Sequence, residues 1–225
     1  MKKAFTMLEL VMVIVIVGII SMMIAPSFQR NTLREAANQV ANDIRYTQHL
    51  AMMDNKFDQT NPNWFLDRWQ IVFAKNTGSN NKWAYTIFSD RSHDGNPNPA
   101  SSTTNSELAY NPLDVTKYLT GGTSGTSIIH YDDKEATEEL NIGTKYGVTS
   151  ISITGGNTGS NANRIIFDNL GRPYRGSTNA STASVISSSI DRIAKTRINI
   201  TLSDGSENII IAIEPETGYT HILPQ

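Results

Sequence analysis

The chain has no cysteine, which excludes a disulfide framework, a thiol nucleophile and a thiolate metal site. An exported protein of this kind holds its fold by packing and hydrogen bonds alone. Charge is also scarce: Asp, Glu, Lys and Arg make up 18 % of the residues, against roughly a quarter in an average soluble domain. Ser, Thr, Asn and Gly fill the gap, as on extracytoplasmic and structural surfaces more often than on enzymes. The 19 basic and 21 acidic residues nearly cancel, to a net charge of -2. No global field therefore draws the chain to nucleic acid or to an anionic membrane, and direct nucleic-acid contact would need a local basic patch. There is no G-x-S-x-G elbow and no Walker A loop. His93, His130 and His221 lack H-x-x-x-H spacing, and His49 has no second ligand at helical spacing, so zinc has no support. The 225 residues are enough for one domain with a buried core, and neither an internal repeat nor a domain linker interrupts them.

What the sequence does have is one long apolar run near its amino terminus. Met1-Lys2-Lys3-Ala4 is a short basic start, and residues 5–25 are almost wholly apolar, broken only by Thr6, Glu9, Gly18 and Ser21. As a helix, about 21 residues rise roughly 31 Å, enough to cross a bilayer core. Lys2 and Lys3 predict that this end stays cytoplasmic and that the rest lies across the membrane. An ordinary cleaved secretory signal shares the basic start. It does not explain an acid inside the apolar core, and the small-x-small cleavage pattern is missing because Met23 stands two positions before Ala25. A plain signal anchor also leaves Glu9 unexplained. An ionised carboxylate in lipid costs about 2.5 kcal/mol or more unless neutralised, so such acids are functional candidates. Lys3 is on the wrong side of the interface to serve; a new amino group made by cleavage before Phe5, on a neighbouring copy, would serve.

Lys3-Ala4-Phe5-Thr6-Met7-Leu8-Glu9-Leu10 and the aliphatic run after it resemble the class III leader of type IV pilins and type II secretion pseudopilins. The resemblance implies cleavage by a prepilin peptidase between Ala4 and Phe5, N-methylation of Phe5, and an assembly role for Glu9. The family's usual residue before the cut is Gly, and Ala4 departs from that. Gly18 and Pro26 fall where many members carry Gly and Pro. Pro26 removes a backbone donor and predicts a kink, or else the end of the membrane helix. The match covers about the first 26 residues.

Residues 27–53 are helix-compatible. Leu33, Ala37, Val40, Ile44, Thr47 and Ala51 recur at steps of four and three, the docking stripe of a helix on a sheet. Arg30, Arg34, Glu35, Asn38, Gln39, Asp43 and Arg45 are assigned to the other faces. Strands are predicted over 69–74, 83–89, 127–131, 148–154 and 164–168, then in a closing meander over 198–202, 208–213 and 219–223 with turns at 203–206 and 215–218. Residues 89–111, 155–163 and 176–189 read as polar loops. Phe167-Asp168-x-x-Gly171-Arg172-Pro173 and the final hairpin with Thr217-Gly218 resemble minor pseudopilins of the GspH/FimT type. The expected fold is α+β: a leader over 1–4, a transmembrane helix over 5–25, an amphipathic continuation over 26–53, and an antiparallel β domain over 54–225 that packs on the long helix.

Asp90-x-Ser92-x-Asp94-Gly95-Asn96 imitates the start of a calcium loop, which makes Asp90, Asp94 and Asn96 the weak metal candidates. Position twelve is Ser101 instead of an acid, and Pro97 and Pro99 interrupt the loop, so an Asp/Asn/Gly turn explains it as well. Asp132, Asp133, Glu135, Glu138 and Glu139 around Lys134 read as a solvated face, or as a docking surface for a basic neighbour. Trp64, Trp69 and Trp83 read as core anchors. No cofactor is expected and nothing compels an enzyme. The reading is a structural pilin or pseudopilin subunit of the bacterial inner membrane. Its partners would be prepilin peptidase, other pilins, an inner-membrane assembly platform and membrane lipid. Type II secretion, type IV pili and DNA-uptake pseudopili use the same plan. The rivals are a membrane-tethered periplasmic enzyme or binding protein, which predicts a pocket with convergent polar groups, and an adhesin-like tip subunit.

Overall fold

Thr6 opens the first helix: its hydroxyl and carbonyl both accept from the Glu9 amide, at 3.3 and 3.1 Å. The helix, α1, runs Met7–Ile24, 18 residues. The computed structural model describes residues 6–24, 31–61, 64–100, 105–125, 127–156, 163–176 and 193–224. The chain forms two units, one up to Asn31 and one from Thr32 onward. At 1.5 Å per residue α1 is about 27 Å long, less than the roughly 30 Å of a bilayer core. Among the described residues no helix is long and apolar enough to cross a membrane. This helix lies within the span read over 5–25; Ala4, Phe5, Ala25 and Pro26 lie outside the described residues.

The second unit begins with α2, Thr32–Met53. The helix expected from residue 26 starts later in its described part, because Asn31 is not helical; Asn favours turns and caps over helix interiors. All six residues of the predicted stripe are buried, and Ala36 and Ala41 widen it. Asp43 is the correction. Assigned to an outer face, it is only 9 % exposed.

Ten strands follow among the described residues: β1 (Trp69–Ala74), β2 (Ala84–Ser89), β3 (Tyr110–Asn111), β4 (Asp114–Tyr118), β5 (Ser150–Thr154), β6 (Arg164–Phe167), β7 (Pro173–Arg175), β8 (Ile198–Ser203), β9 (Asn208–Ile213) and β10 (Thr220–Ile222). The fold class is α+β. One antiparallel sheet has the order β2-β1-β6-β7, a second the order β10-β9-β8-β5, and β3-β4 is a separate hairpin. β8 shows the two-residue period: Ile198, Ile200 and Leu202 are buried while Asn199, Thr201 and Ser203 are half-buried. The stripe of α2 joins residues of both sheets in one core, with Ile71, Phe73, Ile165 and Phe167 on one side and Ile198, Ile200, Ile211 and Ile213 on the other. The 127–131 segment is not a strand. Its amides and carbonyls bond to two loops instead: Tyr131 N–H donates to Gly78 O, and Ile129 O accepts from Thr123 N–H, each at 2.9 Å. The loop over 89–111 also ends in structure, with a bridge from Phe88 to Leu108 and then β3.

Two polar side chains fasten α2 to the ends of the sheets. Arg45 donates to Thr220 O through Nε and Nη2, at 3.1 and 2.8 Å. Gln48 Nε2 donates to Gly171 O at 2.8 Å and Thr217 O at 2.9 Å. The two turn motifs singled out in the sequence therefore meet at one glutamine. Gly218 has a φ of +66°, and a Cβ there would lie 2.4 Å from the Gly171 carbonyl oxygen, so only glycine fits the junction.

Candidate assembly site

The described part of α1 carries a single ionisable side chain, Glu9, in its first turn. Its other polar groups are satisfied locally: Thr6 caps the helix, and the Ser21 hydroxyl donates to Val17 O at 2.7 Å. Every large apolar side chain from position 7 to position 20 is at least 48 % exposed. A helix that is apolar all round lacks the sidedness of one lying on a soluble core. Gly18 leaves an open notch, since a Cβ there would meet nothing within 4 Å. Such a notch lets another helix approach closely. The cleavage and methylation positions, Ala4 and Phe5, and the kink position, Pro26, lie outside the described residues.

The calcium-like loop is organised around an internal cation. Arg164, on β6 and 5 % exposed, donates through Nη1 to Gln70 Oε1 at 2.8 Å and through Nη2 to the Gly95 carbonyl. Its guanidinium lies 5.4 Å from the centre of the Phe88 ring. Burial lowers the Arg164 pKa from its ordinary value, while the charges of Asp90 and Asp94 pull it back up. Asp90 is fully buried and accepts the Gly95 amide at 3.0 Å. Asp94 accepts from Asn96 N–H at 2.7 Å and Asn98 Nδ2 at 3.1 Å. Burial alone would raise the Asp94 pKa, but hydrogen bonds from Asn98, Asn96 and Ser92 hold it below the usual range. Asn96 is exposed and binds within its own turn. The electrostatic part expected of a cation is thus taken by a guanidinium from another strand. Among the described residues no group of three or more His, Cys, Asp or Glu is placed to hold a metal.

The histidines stay apart. His93 Nε2 is 2.5 Å from Asp67 Oδ1, His221 Nε2 is 3.7 Å from Glu214, and His49 and His130 are exposed. In the acidic segment Asp132, Asp133, Glu135 and Glu138 are exposed, and Lys145 pairs with Glu138 and Glu139 at 3.4 and 3.5 Å. Trp69 and Trp83 pack against the main core, and Trp64 packs against a smaller cluster beside the Arg68 guanidinium, 5.0 Å away.

A cleft of about 380 Å³ opens beside the carboxyl end of α2, lined by Leu50, Asp54, Lys56, Trp69, Arg91 and Glu107 among others. Several of its polar groups bond to each other or to backbone. Asp54 accepts from Lys56 at 2.5 Å and from Trp69 Nε1 at 2.9 Å. Arg91 donates to the Ser106 carbonyl, and Glu107 accepts from the Ser92 and Asn98 amides.

Sequence reasoning missed Asp43, Arg164 and the way Asp168 works. Asp168, 1 % exposed, accepts from Leu170 N–H, Arg172 N–H, Arg172 Nε and Tyr174 OH at 2.7–3.0 Å, and so shapes the β6–β7 turn. Only the D-x-x-G-R spacing hinted at it. Family models, characterised proteins and solved structures were all compared with the chain, and none matches it.

Proposed function

We propose that this chain is a structural minor pilin or pseudopilin, a subunit of a type II secretion or type IV pilus-like filament. Residues 1–4 are the leader, prepilin peptidase cuts between Ala4 and Phe5, and Phe5 is N-methylated. The apolar segment around α1 anchors the subunit in the inner membrane, with its amino terminus cytoplasmic and the β unit periplasmic. In the filament these helices bundle, and Glu9 neutralises the Phe5 amine of a neighbour, which fixes axial register and removes an intramembrane charge. The observation that carries this reading is an α1 that is apolar on every face and holds one acid in its first turn. The β unit serves as a contact surface for other subunits or cargo.

Fractionation of native cells tests the reading. The protein is expected to stay with the inner membrane through alkaline carbonate washing. Cells lacking the prepilin peptidase are expected to accumulate a slower-migrating form. Release by carbonate, or identical migration with and without the peptidase, contradicts it.

A further inference from the structure

Asp43 stands on the buried face of α2 with no ion pair among the described residues. Its Oδ2 accepts from the Tyr85 hydroxyl at 2.6 Å and from Gln39 Nε2 at 3.1 Å, both neutral donors. Tyr85 is itself 1 % exposed, on β2, so the contact joins the helix to the sheet deep in the core. A buried carboxylate without a cation carries a desolvation cost that two neutral hydrogen bonds offset only in part.

The surrounding charges deepen that cost. Glu139, in the short turn Glu138–Leu140, acts on Asp43 as a like charge. Tyr46 on α2 and Tyr146 after the helix α3 (Ile142–Lys145) also sense the Asp43 charge, and Tyr146 senses Glu35 and Glu139 as well. The cations nearby are engaged elsewhere. Lys145 pairs with Glu138 and Glu139, and Arg45 donates to Thr220 O and Asn42 Oδ1.

We propose that Asp43 is a proton-operated latch: with the carboxyl neutral α2 seats firmly on β2, and with it ionised the seat loosens. The latch sets how firmly α2 is held. The inference does not depend on the filament reading, and its test involves no filament.

The direction follows from linkage. Burial, the largest influence, raises the Asp43 pKa above its ordinary 3.8, and Glu139 adds to that, while the Tyr85 and Gln39 hydrogen bonds work the other way. Because the folded state binds this proton more tightly than the unfolded one, the stabilisation is complete below 3.8 and is lost as pH rises through the raised folded value.

Hydrogen exchange of the α2 amides in the full chain, held in detergent micelles and corrected for intrinsic rates, reads the latch between pH 4 and 7.5. Protection in the wild type is expected to increase as pH falls, by up to about tenfold per unit, the limit for one proton. Asp43→Asn is expected to remove this dependence. Tyr85→Phe, which deletes one donor to the ionised form, is expected to move the transition to higher pH. An equal pH slope in the wild type and Asp43→Asn overturns the proposal. If Asp43→Asn does not fold, an unmoved transition in Tyr85→Phe overturns it equally.

Discussion

Replacing Glu9 by alanine is expected to leave the cut before Phe5 intact and to lower incorporation of the subunit into filaments by roughly a hundredfold. The size follows from the environment. A carboxylate in hydrocarbon carries a penalty of about 2.5–3.5 kcal/mol, which a neighbour's amine cancels. Removing one partner of such a pair strands the other, at a cost of roughly 3–5 kcal/mol, more than two decades in an equilibrium constant. No other ionisable group in the described part of α1 can take over. The measurement is the ratio of variant protein in sheared filaments to that in the membrane pool. A membrane-tethered enzyme or binding protein would work unchanged with alanine at position 9. Normal incorporation of Glu9→Ala refutes the pairing.

Arg164→Met is expected to lower the stability of the β unit by roughly 3–5 kcal/mol, read as a fall in the urea midpoint of the full chain. The guanidinium sits between Gln70, the Gly95 carbonyl and the charges of Asp90 and Asp94, and the variant leaves those acids without it. Asp90 is fully buried and cannot turn to water for compensation. Calcium at millimolar concentration is expected to leave the wild-type midpoint unchanged, because the cation's part in this loop is already filled. A loss below about 1 kcal/mol, or calcium-dependent stabilisation of the wild type, contradicts the assignment.

Patterns carried by neighbouring residues were legible in the sequence. The stripe from Leu33 to Ala51 repeats at the helical period, and β8 alternates strictly, so both appear from local order alone. The turns at Gly205 and Gly218 have positive φ, the conformation their Asp-Gly and Thr-Gly sequences favour. Features that depend on distant partners were not legible. Arg164 meets Gly95 across 69 positions, so the calcium-like spacing pointed to a metal where a side chain from another strand sits. Asp43 reads as an outer-face residue until Tyr85 is placed beside it, 42 positions on. The 127–131 segment has strand-like residues, but among the described residues no strand lies beside it to complete a ladder. β7 begins with Pro173, a residue that reads as turn because it cannot donate to a ladder on its own account. The amino-terminal signal is of another kind. Its apolar run and lone acid are plain in the sequence, while Phe5 and Pro26 lie outside the described residues.

The mass of the mature amino terminus, measured on protein from its native host, tests the central claim most directly. A pilin-like subunit is expected to lack residues 1–4 and to carry one methyl group on Phe5. A chain that still begins with Met1, or one that starts beyond the apolar run, would contradict the account.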